Sequence, residues 1–110
     1  MSRSPSLGEF EELVMLTVGL LYDEAYAVAV TEEIIERTGR SLSVSAVHQT
    51  LYRLEKKGML SSRLDNPEPV RGGKRKRIFN ITLYGKNTLD DSLKLRNALR
   101  NEIPDLAFKS

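Results

Sequence analysis

Arg71-Gly-Gly-Lys-Arg-Lys-Arg77 is a di-glycine followed at once by four basic residues, and it lies between two segments of strand character. Leu60 to Leu64 reads as a first strand, and Lys74 to Leu83 as the return strand, with Phe79, Ile81 and Leu83 alternating toward a core. Glycine accepts positive φ at little cost, so the pair lets the chain reverse. The prolines of the preceding Asp65-Asn-Pro-Glu-Pro-Val70 argue against regular structure there. The expected element is a β-hairpin whose tip carries a run of positive charge.

A well-marked helix precedes it. Ser43 is the expected N-cap and Gly58 the terminator, and Lys56 and Lys57 suit the negative end of the helix dipole. Val44, Val47, Leu51 and Leu54 recur at helical spacing and define one buried stripe. At about 100° per residue, the opposite face holds Ser45, Gln49, Tyr52, Arg53 and Lys56, with His48 on its flank. Two helices come earlier. The first begins near Leu7, with Ser6-Leu-Gly-Glu9 as a capping box and an apolar stripe of Phe10, Leu13, Val14, Thr17, Leu20 and Leu21. The second starts at Asp23-Glu24-Ala25 and ends at Gly39. After the hairpin, Thr82 caps a last helix that runs to about Glu102, where Pro104 stops it. Its leucines leave more apolar surface than a small core uses, so it is expected to meet a partner.

Composition sets the remaining bounds. At 110 residues the chain forms one domain with a modest core. It has no cysteine, which excludes disulfides and thiol chemistry within it. No apolar run is long enough to span a bilayer, and Met1 to Ser6 lacks the apolar core of a signal peptide, so a cytoplasmic location is expected. Charge is unevenly placed. Residues 1–40 hold three basic side chains against eight acidic, whereas residues 53–77 hold nine against three. Such asymmetry is the footprint of a polyanion-binding surface, although a charge run is also the ordinary form of a solvated face.

Three helices, a hairpin and a last helix make a mostly α chain with the winged helix-turn-helix arrangement. Residues 1–82 are expected to form the winged-helix unit and residues 83–110 a C-terminal dimerisation helix and tail. On the wing, Lys74, Arg75, Lys76 and Arg77 suit phosphates, with Arg63 joining from the opposing strand. Side chains alternate along a strand, so half of them face DNA at once. On the third helix, Ser45, Gln49 and Arg53 suit base edges, because glutamine pairs with adenine and arginine with guanine. Ser43 joins them at the helix N-terminus. Arg53 equally reaches a phosphate; Tyr52 and His48 either read DNA or pack beside the hairpin. Tyr26 offers its hydroxyl to a phosphate or serves in packing. One histidine leaves few nucleophile–base pairs or metal sites, so no enzyme, metal or cofactor is expected. The pairs Glu11-Glu12, Glu32-Glu33 and Asp90-Asp91 read as solvated helix faces.

The strings Leu7-Gly-Glu-Phe-Glu-Glu-Leu13, Asp23-Glu-Ala-Tyr26, Glu36-Arg-Thr-Gly-Arg-Ser41, Ala46 through Leu60 and Arg71 through Gly85 resemble, in order and spacing, the PadR family of bacterial transcriptional regulators. The resemblance covers nearly the whole chain. It implies a dimeric winged-helix repressor on a pseudo-palindromic double-stranded operator, with one C-terminal dimerisation helix and, as a candidate partner, a small-molecule effector. Leu89, Leu93, Leu99 and Ile103 are the dimerisation residues expected there. The family usually has tyrosine in place of His48 and glycine in place of Ala27. Its relatives that bind flat aromatic drugs use a tryptophan, which this chain lacks. Two other readings stay open: a winged-helix module that binds a protein, and a dimer whose small-molecule cleft matters more than its DNA surface.

Overall fold

The computed structural model describes residues 6–65 and 76–109. In chain order it has α1 (Glu9–Leu21), a 3₁₀ turn (Tyr22–Glu24), α2 (Ala27–Thr38), α3 (Val44–Lys56), β1 (Leu60–Leu64), β2 (Arg77–Ile81), α4 (Leu83–Glu102) and a closing 3₁₀ turn (Asp105–Ala107). The two strands pair antiparallel, in a register from Leu60 opposite Ile81 to Leu64 opposite Arg77. The Phe79 N–H also donates to the Ala25 carbonyl at 2.9 Å, which ties the hairpin base to the connection before α2.

Local chemistry explains the boundaries. The Ser43 hydroxyl accepts the Ala46 N–H at 3.1 Å and starts α3. Gly58, at φ 81°, ends it, and the Met59 N–H then folds back to the Leu54 carbonyl at 3.0 Å. Gly39, at φ 70°, ends α2 in the same left-handed conformation. Thr82 starts α4 by accepting the Gly85 N–H at 3.0 Å, while its own hydroxyl donates to the Gly58 carbonyl at 2.7 Å.

Val14, Met15, Val18, Val30, Ile34, Val47, Leu51, Leu54, Met59, Leu60 and Phe79 make the core where α1, α2 and α3 meet the hairpin. Several expectations shift. Gly8, not Ser6, stands at the N-cap of α1, because the Glu11 carboxylate reaches back to the Gly8 N–H at 3.0 Å. Asp23 and Glu24 belong to the 3₁₀ turn, and α2 starts only at Ala27. Val44 opens α3 at the rim of a groove and stays 41% exposed, so the buried stripe begins at Val47. Leu83 is 73% exposed because the strand alternation stops at Ile81, where the chain turns into α4. Glu11 and Glu12 are buried, since each meets a cation from another element.

Leu89 is buried in the core of its own chain and so is not offered outward, whereas Leu93 packs against that core and stays partly exposed. Along the second half of α4 and at its C-cap, the exposed large apolar residues are Leu95, Leu99 and Ile103. From Lys94 to Lys109 every residue is exposed, so the second half of α4 projects away from the body. No described helix is long and apolar enough to cross a membrane.

Candidate nucleic-acid interface

Because Val47, Leu51 and Leu54 fix α3 against the core, its opposite face must look outward. Ser45, Gln49, Arg53 and Lys56 are all exposed there. Among the described residues none of their side chains takes part in a hydrogen bond or ion pair, so their donors and acceptors are available to a ligand. Ser43 sits at the start of the same helix with its hydroxyl oxygen already occupied by the cap.

His48 and Tyr52 form the edge of this face nearest the hairpin. Their rings lie 4.6 Å apart between centroids, and Tyr52 meets Phe79 edge-on at 6.0 Å. Tyr52 therefore packs on the wing base while keeping 45% of its surface exposed. His48 is half-buried beside it and borders a groove of about 350 Å³ between α2, α3 and the hairpin. Tyr26, at the N-cap of α2, lines the same groove.

The hairpin cations divide by face, as alternation along a strand requires. Lys76 lies over the Tyr26 ring, with Nζ 4.1 Å from the centroid. Arg77 points the other way and donates to the Ser62 hydroxyl at 3.0 Å. Ser62 in turn donates to the Glu55 carboxylate on α3. Arg63 approaches Asp23 at 3.4 Å, with both side chains well exposed. The structure thus brings Tyr26, His48, Lys76 and Arg77 around one groove, with Tyr52 against His48 beside it, next to the exposed row on α3. Lys74 and Arg75 lie outside the described residues.

Asp23, Glu55 and Ser62 were not legible as parts of this surface. Their role depends on the hairpin register and on a 3₁₀ turn 40 residues from Arg63. Among the described residues no cluster of histidine, cysteine, aspartate and glutamate is placed to hold a metal ion.

A family profile described as the transcriptional regulator PadR-like family matches residues 16–91, which takes in α2, α3, the hairpin and the start of α4. The chain belongs to the PadR-like family. As a member it is a DNA-binding transcription regulator and not an enzyme. Its fold is similar to that of a PadR-like transcriptional regulator from Bacillus cereus, at 14% identity and a TM-score of 0.71 over 92% of this chain and 93% of that one. It is also similar to a PadR family regulator from Eggerthella lenta, at 24% identity and a TM-score of 0.69 over 93% and 88%. A third similar structure is the Aeropyrum pernix ORC1 protein in complex with DNA, at 20% identity and a TM-score of 0.61 over 84% of this chain and 26% of that one. No curated protein sequence matches the chain.

Proposed function

We propose that this PadR-like regulator is a homodimeric repressor that places its two α3 helices in successive major grooves of a pseudo-palindromic operator. Residues 1–82 serve as the DNA-binding unit and residues 83–110 as the dimerisation helix and tail. The observation that carries the reading is the unpaired polar row of Ser45, Gln49, Arg53 and Lys56 on a helix whose other face is locked into the core. Ser45 and Gln49 read base edges, and Arg53 and Lys56 reach bases or flanking phosphates. Tyr26, Arg63 and the wing cations Lys74, Arg75 and Lys76 grip the backbone, and Arg77, His48 and Tyr52 set the distance between wing and helix.

Leu95, Leu99 and Ile103 support dimerisation, because they form an exposed apolar row on a helix segment that leaves the body. Repression follows when such a dimer covers promoter DNA that polymerase must enter. A small molecule that changes the separation of the two α3 helices relieves it.

The test is an electrophoretic shift against the DNA upstream of its own coding sequence, at several salt concentrations. Each phosphate contact adds about 0.9 to the slope of log affinity against log salt. The expected result is a steep slope that flattens in Arg53→Ala and Lys56→Ala. Binding that ignores salt and survives both changes would refute the proposal.

A further inference from the structure

Three acidic residues in the first turn of α1 each reach a different element. Glu9 pairs with Arg40 in the connection between α2 and α3. Glu11 pairs with Lys57, the C-cap of α3, at 2.9 Å. Glu12 turns to α4, where its carboxylate accepts the Ser92 hydroxyl at 2.5 Å and pairs with Arg96. Adjacent residues of one helix thus hold the end of the DNA-facing helix and the middle of the projecting one.

The Glu12 contact is the more singular. Its side chain is only 5% exposed, and a buried carboxylate is retained only where partners compensate its desolvation. Both partners come from α4, at the point where that helix leaves the body. N-terminal to them, α4 is anchored by the Thr82 cap and by buried Leu89. C-terminal to them, the described residues are all exposed. Glu12 is therefore the last polar hold of the body on α4 among the described residues.

We propose that Glu12, through Ser92 and Arg96, is a positioning residue that fixes the angle at which α4 leaves the winged-helix body and so selects the half-site separation the dimer accepts. This rests on the proposed function, in which α4 joins the two protomers. The lever is long enough for the task. From Leu89 to Ile103 the helix spans about 21 Å at about 1.5 Å per residue. A swing of about 10° moves that end by roughly 3.6 Å, close to the rise of one base pair at about 3.4 Å.

The chain has no cysteine, so the full-length protein carrying Glu36→Cys and Asn101→Cys takes two spin labels at exposed sites on α2 and α4. Diluting it with unlabelled protein isolates the distance within one protomer. The expected result is one narrow distance distribution, which broadens in Glu12→Gln and in Arg96→Gln and stays narrow in Arg96→Lys. Arg96 is 56% exposed, so its variants report even if the substitution at buried Glu12 fails to fold. In parallel, wild type and Arg96→Gln select from a random duplex library. Wild type is expected to enrich a single half-site spacing, and the variant to lose that preference while keeping its affinity for unselected duplex. Unchanged distances together with an unchanged spacing overturn the assignment of Glu12 alone. A wild type that enriches no paired half-sites overturns the spacing claim and the dimeric-operator reading together.

Discussion

Gly85→Ala separates two physical effects of opposite sign. Gly85 lies in the first turn of α4, and a Cβ placed there would stand 2.1 Å from the Met59 carbonyl oxygen and 2.9 Å from its carbon. Helix propensity alone makes the substitution stabilising by about 1 kcal/mol. Sterics oppose it, because carbon–oxygen contacts settle near about 3.3 Å and the helix start must retreat by about 1 Å. Three interactions depend on its present position: the Thr82 N–H to the Met59 carbonyl at 3.1 Å, the Thr82 hydroxyl to the Gly58 carbonyl at 2.7 Å, and the burial of Leu89. Two hydrogen bonds contribute about 1 kcal/mol each, and partial exposure of a leucine about 1 to 2 more. The net loss is then about 2 to 3 kcal/mol after the propensity gain, or a fall in Tm of roughly 10 to 20 °C for a domain of this size. Thermal and urea unfolding followed by circular dichroism measure it. A Tm equal to or above that of the parent would show that the close approach to Met59 does not constrain the fold.

Gln49→Ala should lower discrimination between the operator and single-base variants at one position by about 1 to 3 kcal/mol while leaving non-specific affinity unchanged, as read in competition shifts; a uniform loss across all sequences would place Gln49 on the backbone instead. Burial raises the Glu11 carboxyl pKa, but the Gly8 N–H and Lys57 outweigh it and hold the group below its ordinary 4.5. A depressed folded pKa contributes stability that is present above the unfolded value and lost as pH falls through the folded one, so Glu11→Gln should flatten the acid limb of stability against pH, and an unaltered limb contradicts this. Tyr22, 74% exposed, holds φ 48° and ψ −129°, a conformation that favours glycine. Tyr22→Gly should therefore raise stability by about 1 kcal/mol, with strain relief exceeding glycine's entropy penalty, and a lower melting temperature would show that the tyrosine ring contributes more than its backbone loses.

Elements whose ends are set within a few residues were legible in the sequence. Ser43 and Gly58 bound α3, the first strand covers Leu60–Leu64, and Thr82 opens α4, all as local capping and alternation predict. The start of α1 was not, since a serine at the right spacing from a glutamate lost to a glycine whose N–H meets Glu11. The acidic pair Glu11-Glu12 reads as a solvated face in the sequence, because its side-chain partners lie 46, 80 and 84 residues away. The return strand reads too long at its C-terminal end, where Thr82 diverts the chain into α4 before Leu83 can point inward. Stripe membership failed at Val44, where a helix end lacks a neighbour to cover it.

The run of positive charge also becomes a graded set once its partners are known. Arg53 and Lys56 are unpaired among the described residues and can meet phosphate without first giving anything up. Arg63 faces Asp23 across 3.4 Å of exposed surface, and such pairs contribute no more than about 1 kcal/mol, which a phosphate replaces easily. Arg77 differs, since its contact runs through Ser62 to Glu55 on α3 and is partly buried. Turning Arg77 toward DNA would take away the bond that orients the Ser62 hydroxyl on Glu55, whereas leaving it in place keeps the wing at a fixed angle to the reading helix. Arg77→Ala should then weaken specific binding more than non-specific binding. Arg63→Ala should weaken both equally with a lower salt slope, about 0.9 less for each phosphate that the protein no longer neutralises. Measured by salt-dependent shifts on operator and unrelated duplex, identical behaviour of the two variants would remove the distinction between an arginine that holds the wing and one that holds the DNA.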